Sequence, residues 1–459
     1  FQPVMAAAES VESTDSKVWT IKLKDGWTFH NGEKVTSDSY IAAWNYGAYG
    51  PNGQGNNEFF EKFEGFEALN PKDKNAAPAT KTLSGLKKVD DLTFEADLKE
   101  PFSAFREMLG YTAFYPIPKA AEADMKAFEE APIGNGPFQL DGKWEHDKSV
   151  KVKVFDAYKG AKKPKIKGIE FRIYQQPSAM YADLVSGNLD VMTAIPTESL
   201  KSAKSDLGDR FKLSPNSAIY FLGYPTYDPQ FEKPEVRMAL SMAVDRKEIV
   251  EKIFANTRVP ADSFVSPIIP GYAPGSGGDA VKFDPAKAKQ ILEAAGGLLG
   301  GTLTITYNTD GGHKEWIEAI CNQLSKNLGI KCTATPEPKF ADLLKKAQAK
   351  EKIGLIRMGW VADYYNKTNY FGPLYSANGS SNYYGYNNPA FDALLAEGDR
   401  SATSEEALKK YAEAEAILAK DVPVMPLFYG QNVFGHSSKV QNVFVETSTH
   451  VDLFQIDSK

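Results

Sequence analysis

The sequence predicts an α/β protein built as two lobes, and three observations carry this prediction. The chain has 459 residues, which is more than one hydrophobic core usually organises. Residues 284–360 alternate between helical and strand-like patterns, as βαβ units with a parallel sheet do. Residues 257–282 are rich in Pro and Gly, which indicates that the chain crosses there from one lobe to the other.

The composition is that of a globular protein. Hydrophobic residues make up 42% of the chain and charged residues 24%, and no apolar run approaches the length of a membrane span. The net charge is -6, with acidic and basic residues mixed along the chain. A nucleic-acid-binding protein carries a basic stripe, so this charge pattern argues against that class of protein.

Residues 1–130 are predicted to form a small α+β domain of the first lobe. Residues 18–23 and 92–98 alternate between apolar and polar side chains, as half-buried strands do. Residues 36–38, Thr-Ser-Asp, favour the N-terminus of a helix. The glycines of residues 50–57 do not indicate a phosphate-binding loop, because no strand leads into them and no Lys-Ser/Thr pair follows.

Residues 131–258 are predicted to form the core of the first lobe. Apolar or alternating runs at residues 150–154, 168–174 and 220–224 indicate strands, and a helical pattern covers residues 179–185.

The first region carries no signal peptide: Phe1-Gln2-Pro3 lacks Met and a charged segment, which predicts a processed or truncated chain.

Residues 259–425 are predicted to form the second lobe, and residues 426–459 to return to the first. A strand at residues 303–307, a helix from about residue 314 and a strand at residues 330–334 make one βαβ unit. Such units cross over with a right-handed connection, so the two strands are expected to run parallel in one sheet.

The two cysteines of the chain fall within this unit. Cys321 faces the sheet from the helix, and Cys332 lies in the strand that follows. Two buried thiols and one disulfide both remain possible, and the local geometry favours the disulfide. A disulfide implies an oxidising, extracytoplasmic compartment.

The candidate binding site follows the strand at residues 353–356. Open α/β sheets bind their ligands where strands end in polar and aromatic loops, at the carboxyl edge of the sheet. His313 follows the strand at residues 303–307, so it is expected at the same edge. Asn57 and Phe59 are weaker candidates, on the first domain. The residues predicted to contact a ligand after the strand are Arg357, Gly359, Trp360, Val361, Asp363 and Tyr364.

Each of these residues also has a structural interpretation. Asp363 could cap a loop, Trp360 could belong to the core, and Arg357 could pair with a neighbouring acid. His313 could cap the helix that begins beside it. An enzyme has little support, because the sequence contains no Gly-x-Ser-x-Gly elbow, no second His of a zinc-binding helix and only scattered histidines. Neither a metal nor a cofactor is therefore predicted.

Several stretches, in order along the chain, share the pattern of one protein family. They are Ala8-Glu9-Ser10, residues 18–26 and 32–39, Asn135-Gly136-Pro137-Phe138, residues 236–240, Val244-Asp245-Arg246, Pro260-Ala261, Gly359-Trp360-Val361-Ala362-Asp363-Tyr364 and Asn388-Pro389-Ala390-Phe391-Asp392. In these stretches the chain resembles the extracytoplasmic solute-binding proteins of peptide ABC importers, the oligopeptide- and dipeptide-binding family. The family's chain normally starts some tens of residues earlier, so its first strand and its signal peptide or lipid-anchoring cysteine are expected to be missing here.

The resemblance implies a type II clamp of the large peptide-binding class, which passes oligopeptides to the permease subunits of an ABC importer. It also implies a monomer outside the cytoplasm, anchored by lipid in the full-length protein. Within the site it implies that Asp363 binds the ligand's α-ammonium group and that Trp360 lines a side-chain pocket. Arg357 and His313 match positions near the ligand's carboxyl end.

The chemistry of a peptide leads to the same site by an independent route. A buried carboxylate suits an ammonium group, an Arg or His suits a carboxylate, and the backbone of Gly359 and Val361 can pair with an extended ligand as an added strand. An oligosaccharide or another small solute in the same fold is the nearest alternative, since the aromatic residues could stack on sugar rings. A hydrolytic enzyme is a more distant one.

Overall fold

The computed structural model describes residues 3–71, 73 and 76–459, so the predicted start of the small domain at residues 1 and 2 lies outside it. Its strands are β1 Ala8–Glu12, β2 Val18–Leu23, β3 Leu86–Lys88, β4 Thr93–Asp97, β5 Phe138–Leu140, β6 Ser149–Val154, β7 Gly168–Arg172, β8 Val191–Met192, β9 Phe211–Gly223, β10 Val259–Pro260, β11 Thr302–Asn308, β12 Lys331–Glu337, β13 Leu355–Trp360, β14 Val424–His436, β15 Val440–Gln441 and β16 Asp457–Ser458.

The helices cover both lobes and the small domain. None of the helices described is long and apolar enough to cross a membrane. They are α1 Ser37–Ala48, α2 Phe66–Leu69, α3 Phe105–Met108, α4 Lys119–Ala123, α5 Met125–Glu130, α6 Pro177–Ser186, α7 Leu200–Leu207, α8 Pro234–Met242, α9 Arg246–Lys252, α10 Pro285–Ala294, α11 Lys314–Leu328, α12 Phe340–Gln348, α13 Thr368–Tyr375, α14 Pro389–Asp399 and α15 Ser404–Asp421.

The small domain is an antiparallel sheet with one long helix packed on it. The strand order is β1-β2-β4-β3, and the buried side chains alternate with exposed ones in β2 and with half-buried ones in β4. Helix α1 begins at the predicted cap, Thr36, whose backbone N–H donates to Ser39 Oγ at 3.2 Å. Its buried Trp44 packs against Phe94, with ring centroids 5.3 Å apart. The pattern in the sequence therefore matches the elements seen in this region.

The largest sheet contains the βαβ unit predicted from the sequence. Its strand order is β10-β14-β9-β13-β11-β12, and β8 adds to β14. Strand β11 runs parallel to both β12 and β13, which confirms that His313 and the loop after β13 lie at the same edge of one sheet. Cys321 on α11 and Cys332 on β12 are joined by a disulfide.

The long strands β9 and β14 cross between the lobes, and this corrects the crossing predicted at residues 257–282. Residues 219–223 of β9 pair within the sheet of the second lobe, whereas residues 211–215 pair with the half of β14 that carries β8. Strand β10 pairs antiparallel with β14 in the same sheet, so the chain has already crossed before residue 257.

The boundary predicted at residue 258 therefore moves to residues 216–218, and the return lies within β14. Helices α8 and α9 precede residue 258 but share one apolar core with α11 and β11 of the second lobe. The Pro- and Gly-rich stretch is a loop that wraps around this lobe. Its proline and glycine residues mark turns, but they do not indicate which lobe the turns belong to.

The crossing point is tightly packed and polar. Asn216 Nδ2 donates to Asn432 Oδ1 at 3.1 Å, which joins the two strands through their side chains. The pairing of β9 with β14 shifts register next to Gly430. A Cβ atom on Gly430 would lie 2.4 Å from Asn216 Oδ1 and 2.7 Å from the Ala218 Cβ atom, so only glycine fits between the strands.

Candidate ligand-binding site

Strand β13 offers a free edge in the middle of the candidate site. On one side it pairs with β9 from Ile356 to Trp360, whereas on the other side only Leu355 and Ile356 pair with β11. Beyond Ile356 the second edge has no strand partner among the described residues. Gly359 is exposed and Val361 keeps 45% of its surface exposed, so the backbone here is open to a ligand that adds as a strand.

The side chain of Asn369 forms hydrogen bonds with two predicted site residues, Trp360 and Asp363. Its Oδ1 accepts hydrogen bonds from the Trp360 indole N–H at 3.2 Å and from the Asp363 backbone N–H at 2.9 Å. Its Nδ2 donates to Asp363 Oδ2 at 3.1 Å. Asn369 lies in α13 and is buried, so the indole and the carboxylate are fixed in place before any ligand binds.

Asp363 faces the small domain across the cleft, where a cation would be favoured. Burial raises the pKa of Asp363, and hydrogen bonds from Asn369 and the Tyr111 hydroxyl partly oppose this rise. Glu58 lies close enough to interact with Asp363; burial raises the pKa of Glu58 first, and the charges of Glu61 and Asp363 raise it further. Two carboxyl groups at raised pKa in one site favour an ammonium group as the ligand.

A second cavity, of about 410 Å³, lies at the beginning of the free edge of β13 and is rich in cations. Arg357 and Arg258 both reach it, and His313 and Tyr220 also line its wall. The two guanidinium groups lie over the Tyr220 ring, with the Arg258 carbon 4.4 Å and the Arg357 carbon 5.6 Å from the centroid. Positive charge therefore lies at this end of the free edge, whereas the carboxyl group of Asp363 lies at the other end.

The cavity keeps His313 neutral. Burial lowers the pKa of His313 to about 3, and the charges of Arg357 and Arg258 act in the same direction. The ring makes an edge contact with Trp316 at 5.6 Å between centroids. His313 is also the N-cap residue of α11, but its side chain makes no capping hydrogen bond. A neutral imidazole can still donate one hydrogen bond to a carboxylate.

Arg357 has no acidic partner among the described residues, although the sequence left such a pairing open. Its Nε atom is buried without any hydrogen-bond acceptor. Burial lowers the pKa of Arg357 to about 10, which records the cost of keeping this charge away from water. A guanidinium in this state is poised to receive an anion.

The structure places three other predicted residues in contacts with the protein itself. Tyr364 is buried in the apolar core of the small domain, so it joins the lobes. Asn57 Nδ2 donates to the carbonyl oxygens of Gly47 and Ala48, both at 2.8 Å. Phe59 stacks on Tyr111 with ring centroids 4.5 Å apart, and thereby supports a residue that contacts Asp363.

A larger cavity, of about 710 Å³, opens beside Asp363 towards the small domain. Its walls are mainly apolar and aromatic, and one buried acid, Glu107, lines it with an Oε2 atom that lacks a hydrogen-bond partner. An apolar side chain next to a bound ammonium group could enter it. The aromatic residues of the wall are Trp27, Tyr40, Trp44, Phe94, Phe114, Tyr115, Tyr158, Tyr364 and Tyr365.

Sequence reasoning missed four residues of the site. Glu58 lies between the two weaker candidates, so the local prediction came within one residue of it. Tyr111 and Asn369 reach Asp363 from separate helical regions, and no local pattern marks them. Arg258 lies in the stretch interpreted as a linker, and two of the three aromatic rings around it, Tyr220 and Phe428, reach it only through tertiary packing.

Taken together, these contacts arrange an acidic end, a free strand edge and a basic end in that spatial order along one wall of the cleft. Such a wall matches a small zwitterion with an extended backbone. No group of three or more His, Cys, Asp or Glu residues that could hold a metal occurs within residues 3–71, 73 and 76–459.

The chain is similar to known proteins over most of its length. The family of bacterial extracellular solute-binding proteins, family 5 (middle), matches residues 2–382. The oligopeptide-binding protein OppA of Bacillus subtilis is 25% identical, over 97% of this chain and 83% of that protein. The dipeptide-binding protein DppE of the same organism is 27% identical, over 98% of this chain and 83% of that protein.

The fold also matches a solved structure. The murein tripeptide binding protein MppA of Escherichia coli aligns with a TM-score of 0.80 and 23% identity, over 98% of this chain and 89% of that chain. At this identity the likeness shows the fold alone. It confirms the two-lobed α/β clamp that the sequence predicts.

Proposed function

Because the chain belongs to the bacterial extracellular solute-binding proteins of family 5, we propose that it captures oligopeptides in the cleft between its lobes and delivers them to an ABC importer. The two relatives named above bind oligopeptides and dipeptides, according to their names. Both are binding proteins, so the proposed role is capture without catalysis.

One observation carries the proposal: a carboxylate and a guanidinium without an acidic partner flank the free edge of one strand. Asp363 accepts the ligand's ammonium group, and Arg357, with neutral His313, receives its carboxylate. Between them, the exposed backbone at Gly359 and Val361 pairs with the ligand's backbone, which is the same in every peptide. Trp360 lines the space for one side chain. An oligosaccharide offers no charged ends, so this arrangement favours a peptide.

The proposed partners and location follow from the family. The ligand-loaded protein docks on the permease subunits of the importer, acts as a monomer and works outside the cytoplasm. The bond between Cys321 and Cys332 supports an oxidising compartment. A lipid anchor in the full-length protein belongs to the same proposal.

The first experiment identifies what the protein carries. The purified protein is denatured, and the released small molecules are analysed by mass spectrometry. We expect short peptides of mixed sequence, because the strand edge recognises backbone and ends. Release of sugars, with no peptide binding in a subsequent titration, would contradict the proposal.

The second experiment tests the role of Asp363. The Asp363→Asn substitution should lower the affinity for peptides with a free amine roughly 10- to 100-fold, because a charge-assisted hydrogen bond is lost. It should leave the affinity for the N-acetylated forms of the same peptides unchanged. Isothermal titration of both peptide forms measures the difference. The matched control is Asp209→Asn, on an exposed residue of the first lobe, which should change neither affinity. An equal loss for both peptide forms would refute the assigned role.

A further inference from the structure

Two guanidinium groups reach the second cavity, and neither forms an ion pair with a described residue. We propose that Arg258 and Arg357 together select peptides whose carboxyl-terminal residue carries a second carboxylate in its side chain, as Glu and Asp do. The inference rests on the proposed function and adds a ligand class and a specificity-determining residue, Arg258. In this arrangement Arg357, beside the free strand edge, receives the α-carboxylate, and Arg258 receives the side-chain carboxylate.

The other arginines of the described chain provide an internal comparison. Arg237 and Arg246 are buried, and several backbone carbonyl groups accept hydrogen bonds from each of them. More exposed arginines have a carbonyl or carboxylate partner too. Those partnered side chains are Arg106, Arg172, Arg210 and Arg400.

Arg258 and Arg357 depart from this pattern. Neither forms an ion pair with a described residue, and Arg258 contacts the side chain of Tyr220 instead of a carboxylate. Burial alone would raise the pKa of Tyr220, but the charges of Arg258 and Arg357 lower it overall. Two cations that share one aromatic ring repel each other, and an anion bound beside them would offset this repulsion.

The remaining groups of the cavity supply no ion-pair partner for either arginine, although the charge of Asp310 acts on Arg357 from a distance. His313 is neutral at physiological pH for the reasons given above. Asp310 is the one carboxylate among the lining residues described, and it accepts hydrogen bonds from Asn308 Nδ2 at 2.6 Å and from the Phe340 backbone N–H at 3.1 Å. A ligand with one carboxylate would therefore leave one guanidinium group without a direct ion-pair partner, whereas a ligand with two could pair with both.

The positions of the two cations favour two separate acceptor groups. Tyr220, on β9, pairs with Gly359 of β13 on one side and with Phe428 of β14 on the other. Arg357 approaches Tyr220 from β13. Arg258 approaches it across Phe428, at 6.0 Å from that ring centroid. The cavity of about 410 Å³ lies within the range of known small-ligand sites.

The test compares peptides that differ in a single functional group. Tri-, tetra- and pentapeptides of Ala ending in Glu are titrated calorimetrically against the same peptides ending in Gln. A third series carries the Glu at the amino terminus, to separate binding in the cavity from general attraction of acidic peptides. The protein variants are wild type, Arg258→Gln and the control Arg400→Gln, whose side chain is exposed and lies 3.8 Å from Glu100.

We expect the wild type to bind the peptide ending in Glu at least about tenfold more tightly than its Gln partner, as one buried charge-assisted hydrogen bond implies. Arg258→Gln should abolish this preference, so that the variant binds the peptides ending in Glu and in Gln with equal affinity. Arg400→Gln should keep the preference, and moving Glu to the amino terminus should remove it.

Two results would overturn the inference while leaving the proposed function in place. One is equal binding of both peptides by the wild type, which would show that a single carboxylate satisfies both guanidinium groups. The other is a preference that persists in Arg258→Gln. The wild-type comparison decides the question even if the variant is unstable. Failure of all peptides of every length to bind would overturn the proposed function as well.

Discussion

The pKa of His313 depends on burial in the second cavity and on the two arginines that line it. Its pKa is lowered to about 3 from an ordinary value of 6.5, first by burial and then by Arg357 and Arg258. As the pH falls, His313 therefore takes up a proton near pH 6.5 in the unfolded chain, whereas in the folded chain it stays neutral at that pH. The free energy of unfolding of the ligand-free protein should fall as the pH drops below that value.

The substitution His313→Gln tests this pH dependence. Between pH 6.5 and 4.5, the wild type should lose roughly 2 kcal/mol more stability than the variant, because only the wild type takes up this proton on unfolding. Urea denaturation at a series of pH values measures the difference. His450→Gln, on an exposed residue, is the control and should follow the wild type. Identical curves for wild type and His313→Gln would contradict the assignment.

The positions of side chains were predictable from the sequence where they depend on the ends of strands. Arg357, Asp363 and His313 follow strands that have clear apolar patterns, and parallel strands bring their ends to one edge. Asn369 and Glu58 were not predictable, because they reach the site through tertiary packing between segments that have no shared pattern. The disulfide was favoured for a local reason, since one helix and the next strand carry the two cysteines.

Among the elements, the βαβ unit was the most predictable and β9 the least. Residues 220–224 are apolar, and they predicted the second half of β9. The first half contains Lys212, Pro215 and several polar residues, which resemble a loop in the sequence. Proline and polar side chains are tolerated there because the strand leaves the apolar core and crosses between the lobes.

Gly430 is expected to tolerate no side chain at this crossing. The Gly430→Ala variant should lose about 1–3 kcal/mol of unfolding free energy, because the added methyl group would overlap the Asn216 amide and the Ala218 methyl group. Chemical denaturation measures the loss. The matched control is Gly372→Ala, within α13, where a Cβ atom would meet nothing within 4 Å. That variant should be neutral or slightly stabilising.

Equal effects of the two alanine substitutions would contradict this account of the crossing. The comparison is sensitive because both positions are glycines in regular structure. Alanine therefore lowers the conformational entropy of the unfolded chain by the same amount at each position. The difference between the variants then isolates the packing at Gly430.

At the scale of the whole molecule, the lobes already touch at the edge of the cleft. The Ser103 backbone N–H of the small domain donates to the Asp399 carbonyl oxygen at 2.9 Å, and Lys62 lies 3.5 Å from the Asp399 carboxylate. A ligand that binds both walls can only shift the lobes towards this arrangement by its differential affinity for it.

Small-angle X-ray scattering tests the shift. A saturating peptide should reduce the radius of gyration of the wild type, because contacts with both walls favour the closed arrangement. The same peptide at the same concentration should leave Asp363→Asn less compact, since it binds that variant more weakly. No change in the wild type with bound peptide would contradict the clamp mechanism.

The division into lobes was predictable from length and composition, but the position of the crossing was not. Proline and glycine mark turns wherever the turns lie, and those of residues 257–282 lie within one lobe. The true connection is made by two paired strands, whose sequences look like a strand in one half and a loop in the other.

The central place of β14 has a consequence for how the chain folds. This strand, near the end of the sequence, lies between β10 and β9, and its partners in β9 precede it by about two hundred residues. The seven-stranded sheet, which extends into both lobes, cannot be completed until residues 424–436 have left the ribosome. Completion of this sheet is therefore slow and late, and a chain shortened before β14 should expose the unpaired edge of β9 and aggregate.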